Sequence, residues 1–335
     1  MTIMWDFLLD VASFVAKAAV IAFVALLIIG AIAQAVQKQK PRKGQLLVDK
    51  LSEDLRDGVQ QLQLDLLDKK QRKKVKKDLK KQHKQQAGEP RKRLFVIDFN
   101  GSMDAREVDS LKREVNAIVS VAQPGEQVLV RLESGGGVVH GYGLGAAQLQ
   151  RLREAELEVI VSVDKVAASG GYMMAAVAHK IQAAPFAIIG SIGVLAQMPN
   201  FHRWLKKHDV DFEQVTAGEY KRTLTIFGEN TDAGRDKFKD ELENIHRQFK
   251  AHISQYRPQI DIEKVATGEY WTAQEAINYG LVDELTTSDG WLLAHRDSHD
   301  MFLVRYVTKK NLGERMGRNV SALLLQLKNL VGRQG

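Results

Sequence analysis

Residues 161–178, VSVDKVAASGGYMMAAVA, decide how the rest of the chain is read. Val159, Ile160, Val161 and Val163 make a β-branched run of strand length. Ala167 to Gly171 are all small, and Tyr172–Ala178 is apolar with no helix breaker. The pattern reads as strand, tight turn, helix. A serine at the mouth of a helix is ordinarily an N-cap, its hydroxyl accepting from a backbone N–H two or three residues on. Two glycines directly after it change that reading, because they allow close approach and leave backbone N–H groups bare. Such groups stabilise an oxyanion when they are aimed at it. Ser169 is therefore a candidate nucleophile, and it needs a base and a second oxyanion donor from elsewhere in the chain.

Two kinds of base are open on the sequence. A Ser-His-Asp arrangement requires a histidine within reach. His179 lies about ten residues along the helix, roughly 15 Å from its start, and His140 lies near a glycine-rich stretch. The alternative is Lys221 in Gly218-Glu219-Tyr220-Lys221, after a strand-like segment. A lysine is neutral near pH 7 only if burial strips its water, at roughly 4 kcal/mol of differential solvation. The loop Ser134-Gly135-Gly136-Gly137, after the strand Val128–Leu132, offers further backbone donors. It has neither the Lys-Ser/Thr of a phosphate loop nor the dinucleotide spacing. Ser162-x-x-Lys165 falls on a strand with no Lys-Thr-Gly after it, and is read as chance.

Composition narrows the classes further. With no cysteine among 335 residues, disulfides, thiol nucleophiles and Cys-ligated zinc are excluded. No His-Glu-x-x-His or other metal spacing occurs. The net charge of +7 is local: residues 69–93 carry 13 Lys and Arg against 2 acidic residues, and the remainder is acidic on balance. The basic run has no interleaved aromatic and no nucleic-acid-binding motif around it, so no specific nucleic-acid partner is expected. It reads as a solvated linker helix or a contact for anionic head groups.

The chain divides into a flank at 1–10, a transmembrane helix at 11–37, a charged helical linker at 38–90, a catalytic domain at 91–300 and an amphipathic tail at 301–335. Residues 18–37 run without a charge, long enough for the ~30 Å hydrocarbon layer. Lys38, Lys40, Arg42 and Lys43 follow the span and Asp6 and Asp10 precede it, so the charge rule favours a cytoplasmic catalytic domain, with the opposite face left open. Helical spacing at Leu47, Leu51, Leu55, Val59, Leu62 and Leu66 predicts an amphipathic helix over Leu46–Leu67. From Arg91 strands alternate with helices, which argues for an α/β core. Strand-like segments include Ile188–Val194 and Phe212–Thr216, and a long helix covers Asp232–Tyr256.

Taken together, ASGGY at 168–172, SGGG at 134–137, GSIGV at 190–194 and GEYK at 218–221 resemble the signal peptide peptidase A family of membrane-associated serine proteases. The similarity runs from about Arg91 to Glu284, and the N-terminal segments also look like a family extension. The resemblance implies a ClpP/crotonase-like core of repeated strand-strand-helix units that oligomerises, a peptide or protein substrate, and no cofactor or metal. It implies Ser169 as nucleophile, Lys221 as general base, Ser191 orienting the lysine, and Gly136 and Gly170 as oxyanion donors. Gly135 stands where the family usually has proline, and Glu133 where Asp or Asn is usual, so the loop is expected to be less rigid. The function implied is a Ser-Lys endopeptidase in a bacterial inner membrane, acting on signal-peptide remnants or membrane-associated proteins. A crotonase-like acyl-CoA enzyme and a non-catalytic membrane scaffold are the competing readings.

Overall fold

The computed structural model describes Lys17 and residues 44–86 and 91–308. In chain order the elements are β1 (Gln45–Lys50), α1 (Leu51–Asp65), α2 (Lys69–Gln86), β2 (Lys92–Asn100), α3 (Val108–Val121), β3 (Gln127–Glu133), α4 (Val139–Glu154), β4 (Glu158–Val163), β5 (Val166–Ala168) and α5 (Gly170–Ala175). There follow β6 (Lys180–Ala183), β7 (Ile188–Gly190), α6 (His202–Lys207), α7 (Asp232–Tyr256), α8 (Ile262–Val265), β8 (Tyr270–Thr272), α9 (Ala273–Ala276), β9 (Glu284–Leu285), α10 (Ser288–His295) and β10 (His299–Val307). Residues Leu46–Tyr306 form one compact unit.

The centre is a seven-stranded sheet in the order β1-β10-β2-β3-β4-β6-β9, parallel at every pairing from β10 to β9. Strands buried on both faces read as continuous apolar runs, and β2, β3 and β4 do. Alternate residues then serve two cores. Phe95, Ile97, Val128, Val130, Val159 and Val161 face the larger one with Leu111, Val115, Leu149 and Leu152. Leu94, Val96, Leu129 and Ile160 face the smaller one with Trp291 and Leu292, against which Leu51 and Leu55 pack.

A three-stranded sheet, β5-β7-β8, carries the chain out of this layer. β5 runs parallel to β7, and β7 runs antiparallel to β8. The end of β3 is tied to β5, since the Ser134 N–H donates to Val166 O at 2.9 Å and the Ala168 N–H to Ser134 O at 3.0 Å. The carboxyl ends of β3, β5 and β7 therefore converge, the usual location for a site among parallel strands.

Several expectations are corrected. The helix expected over Leu46–Leu67 starts only at Leu51; Gln45–Lys50 is a strand of the main sheet. Sheet pairing overrides helical spacing there, and the Ser52 hydroxyl accepts from the Met301 N–H at 3.3 Å. The compact unit consequently begins well before residue 91. Residues 301–307 belong to β10 rather than to a tail; 309–335 lie outside the described residues. Phe212–Thr216 is exposed and forms no strand, having no neighbouring strand to pair with. The expected placement as a single-pass inner-membrane protein is also overturned. Among the described residues no helix is long and apolar enough to cross a membrane. The span read at 11–37 lies, apart from Lys17, outside the described residues.

Candidate active site

Ser169 sits at the junction of β5 and α5 with φ 51° and ψ −120°. Residues other than glycine occupy such conformations only where their surroundings over-determine them. Here the Ser169 N–H donates to Gly190 O at 2.8 Å and its carbonyl accepts from the Met173 N–H at 2.9 Å. Its hydroxyl makes no N-cap bond, so the ordinary role of a serine at a helix start is not taken.

Ser191 follows the last residue of β7, whose Gly190 is the register partner of Ala168. Ser169 and Ser191 thus leave adjacent parallel strands side by side. Ser191 also has a positive φ, 51°, and its N–H donates to Glu269 O at 2.6 Å.

Gly136 has φ +88°, and a Cβ built there would lie 2.7 Å from the Ser169 Cβ. Side-chain size and backbone angle therefore both exclude other residues. A Cβ at Gly170 would enter the Tyr142 ring, and one at Gly171 would meet Ser134 O at 2.5 Å. These glycines serve close packing around Ser169, as the sequence pattern implied. Gly136 has a competing engagement: its N–H donates to the Ser134 hydroxyl at 3.1 Å. The Gly137 and Gly170 N–H groups have no hydrogen-bond partner among the described residues.

Lys221 is apart from this cluster in its surroundings. It is exposed, lies in irregular backbone, and its ammonium makes no hydrogen bond or ion pair among the described residues. The segment that carries it, 194–231, holds together through Phe201, Phe212 and Phe227, with ring centroids 5.8–6.1 Å apart. Asn200 Nδ2 clamps it by donating to Thr225 O and Gly228 O. Much apolar surface remains bare: Leu195 is 73% exposed, Trp204 58% and Val215 97%.

The histidines are placed elsewhere. His179 Nδ1 accepts the Val159 N–H at 3.0 Å, which occupies the atom a base would use; burial and the nearby Arg153 hold its pKa down. His140 is exposed and bonds to no catalytic candidate. Among the described residues no group of His, Asp or Glu is placed to hold a metal ion.

Sequence reasoning missed Tyr142. It is fully buried in α4 between Gly101 and Gly170, and burial pushes its phenol pKa up. The signal was present in Gly141-Tyr142-Gly143-Leu144-Gly145, where a helix carries three glycines. Such a run is costly unless something packs closely against it. Gly141 faces Ala105 and Gly145 faces Met174.

The residues that converge here lie in a chain whose class follows from its relatives. The model of peptidase family S49 matches residues 151–300, and that of its N-terminal region matches 6–149. Probable protease SohB of Haemophilus influenzae is 45% identical over 327 residues, covering 93% of each chain. The chain belongs to peptidase family S49, and it is a peptidase. Probable protease SohB of Buchnera aphidicola subsp. Acyrthosiphon pisum is 51% identical over 241 residues, 71% of this chain and 72% of that one. Protease 4 of Haemophilus influenzae is 31% identical over 201 residues, 58% of this chain and 32% of its own length.

Proposed function

We propose that this peptidase is a serine endopeptidase in which Ser169 is the nucleophile and Lys221 the general base. The observation that carries the reading is the backbone of Ser169, held at φ 51° with Gly136 packed against its Cβ and its hydroxyl left out of any cap. Ser169 Oγ attacks the scissile carbonyl carbon as its proton passes to neutral Lys221 Nζ. The lysine returns that proton to the leaving amine, and water then hydrolyses the ester. Backbone N–H groups at Gly170 and in the 135–137 loop stabilise the oxyanion. The Gly136 N–H is held by the Ser134 hydroxyl, so within that loop the Gly137 N–H is the donor left open to the oxyanion. Ser191, beside Ser169, orients the lysine. The folding of β5–β7–β8 beside the main sheet fits a ClpP/crotonase-like stack.

A base lysine has to be desolvated, and a single chain leaves Lys221 in water. The apolar side chains exposed around it are of the kind that a second copy of the chain covers. We therefore take the active form as a homo-oligomer in which covering 194–231 buries Lys221 near Ser169. The substrate is a peptide, signal-peptide remnants being the class that the motif resemblance implies.

The experiment is labelling with a fluorophosphonate probe, peptide mapping of the adduct, and peptide hydrolysis measured across protein concentrations. The reading expects an adduct on Ser169, no adduct in Ser169→Ala or Lys221→Ala, and specific activity that falls on dilution below the assembly range. Undiminished hydrolysis by Ser169→Ala, or labelling of another residue, overturns it.

A further inference from the structure

We propose that the buried hydroxyls of Tyr142 and Ser134 are positioning groups for acyl transfer, holding the three-glycine loop in place against Ser169. The inference rests on the serine-peptidase reading above and adds residues that do not themselves touch the substrate.

Tyr142 is fixed at three points. Its ring lies under Gly170 and meets Phe99 edge-on, with centroids 6.4 Å apart and planes at 80°. Its Oη donates to Ser102 O at 2.8 Å and makes a short hydrogen bond to Ser134 Oγ. Ser102 is itself held, because its N–H donates to Glu107 Oε2 at 2.9 Å and its hydroxyl lies 2.8 Å from both Glu107 Oε2 and Asp104 Oδ1.

A phenol has one proton, and Tyr142 gives it to Ser102 O. The single proton of Ser134 Oγ is shared between Tyr142 Oη and Gly101 O, the latter at 3.3 Å, and its lone pair accepts the Gly136 N–H at 3.1 Å. An unbroken chain of hydrogen bonds leads from helix α4 to the residue packed on the nucleophile. The far end of the loop is held by backbone alone, as Val138 N–H donates to Met103 O at 2.9 Å.

The loop needs such a hold. Three successive glycines have almost no intrinsic conformational preference, and Gly135 is exposed with nothing within 4 Å of the position of a Cβ. Both hydroxyls lie in the interior: Ser134 is 2% exposed and Tyr142 0%. Removing the phenol oxygen leaves the ring to fill the core while freeing Ser134 and, through it, Gly136.

Gly135 also provides a way to separate positioning from packing. Its φ is outside the left-handed region, its N–H has no partner among the described residues, and Ser134 before it is extended in its bridge to Ala167. Proline needs no N–H partner and fixes its own φ, so Gly135→Pro stiffens the loop by a covalent route.

The test measures the rate of Ser169 phosphonylation, kcat and KM for a peptide substrate, and thermal melting of the full-length assembly. Tyr142→Phe and Ser134→Ala are each expected to slow phosphonylation and kcat about tenfold, with KM and melting nearly unchanged. The double variant is expected to be no slower than either single one, and Gly135→Pro to restore most of the rate in Tyr142→Phe. Wild-type rates in Tyr142→Phe overturn the inference, as does a loss shared with KM and melting that Gly135→Pro does not reverse. Failure of the wild-type protein to label at Ser169 instead overturns the peptidase reading, and this inference with it.

Discussion

Two regions of the molecule meet opposite standards of order. Around Ser169 strands β3, β5 and β7 end together, and the serine N–H, its carbonyl and the Ser191 N–H all have partners within 2.9 Å. Around Lys221, in 194–231, a six-residue helix and three phenylalanines organise an otherwise irregular excursion with bare apolar side chains. The candidate nucleophile is held in place by the chain's own fold. The candidate base sits where a fold is unfinished. A strained residue survives only where its neighbours leave it no alternative, whereas a lysine base needs only the removal of water, which a partner surface supplies as well as a core does.

That contrast breaks most sharply on the two candidate reacting groups. Ser169→Ala and Lys221→Ala should each lower kcat for peptide hydrolysis by about 10⁴-fold or more, measured with a fluorogenic peptide at saturating concentration. Their melting temperatures should stay near that of the parent chain, because neither side chain makes a hydrogen bond or ion pair among the described residues. A large loss of stability in Lys221→Ala would mean that the excursion is not the loose region drawn above.

Next in size is a change on the ordered side. Arg257, 2% exposed, binds both carboxylate oxygens of Asp283 and the Gly280 carbonyl, while Asp283 Oδ2 also accepts the Ile181 N–H. Arg257→Ala removes three charge-assisted hydrogen bonds from a buried position, and chemical denaturation should show about 3 kcal/mol lost. Gly136→Ala should follow, with activity down about 100-fold (roughly 2.7 kcal/mol) as the new methyl group displaces Ser169. If that variant keeps full activity, the loop is as adaptable as the excursion and the contrast fails.

The smallest effect concerns pH. Glu114 is buried in α3, accepts the Tyr306 N–H at 2.7 Å, and burial raises its pKa to about 7, with Asp98 adding to the rise. A carboxyl with a raised pKa in the folded state holds its proton longer there than in the unfolded chain. Folding stability should therefore fall as pH climbs from about 4.5 to 7, by about 2–3 kcal/mol from this group. Glu114→Gln keeps the acceptor oxygen and should flatten that slope in denaturation curves taken at several pH values.

Much of the fold and of the candidate site is legible in the sequence because it is local. The apolar runs of β2, β3 and β4, the small residues around Ser169 and the glycines at 134–137 each follow from short-range rules of period, turn and size. Residues 46–50 read as helix because leucine spacing suits both structures, and only their place in the sheet with β10 settles the matter. Phe212–Thr216 was misread as strand for the complementary reason, since its alternation has no partner to bond to. Tyr142 escaped notice because its hydroxyl matters only through Ser134, Ser102 and Gly136, which lie up to 40 residues away.

The sequence by itself determined the α/β alternation, the candidate nucleophile and the glycines that must surround it, because those depend on neighbours a few residues apart. Tertiary structure alone decided that Ser169 and Ser191 stand side by side, that a buried tyrosine reaches the glycine loop, and that Lys221 lies in water in a single chain. Each of those depends on which distant strands share an edge and on how much solvent is excluded there, quantities that no short window of residues contains.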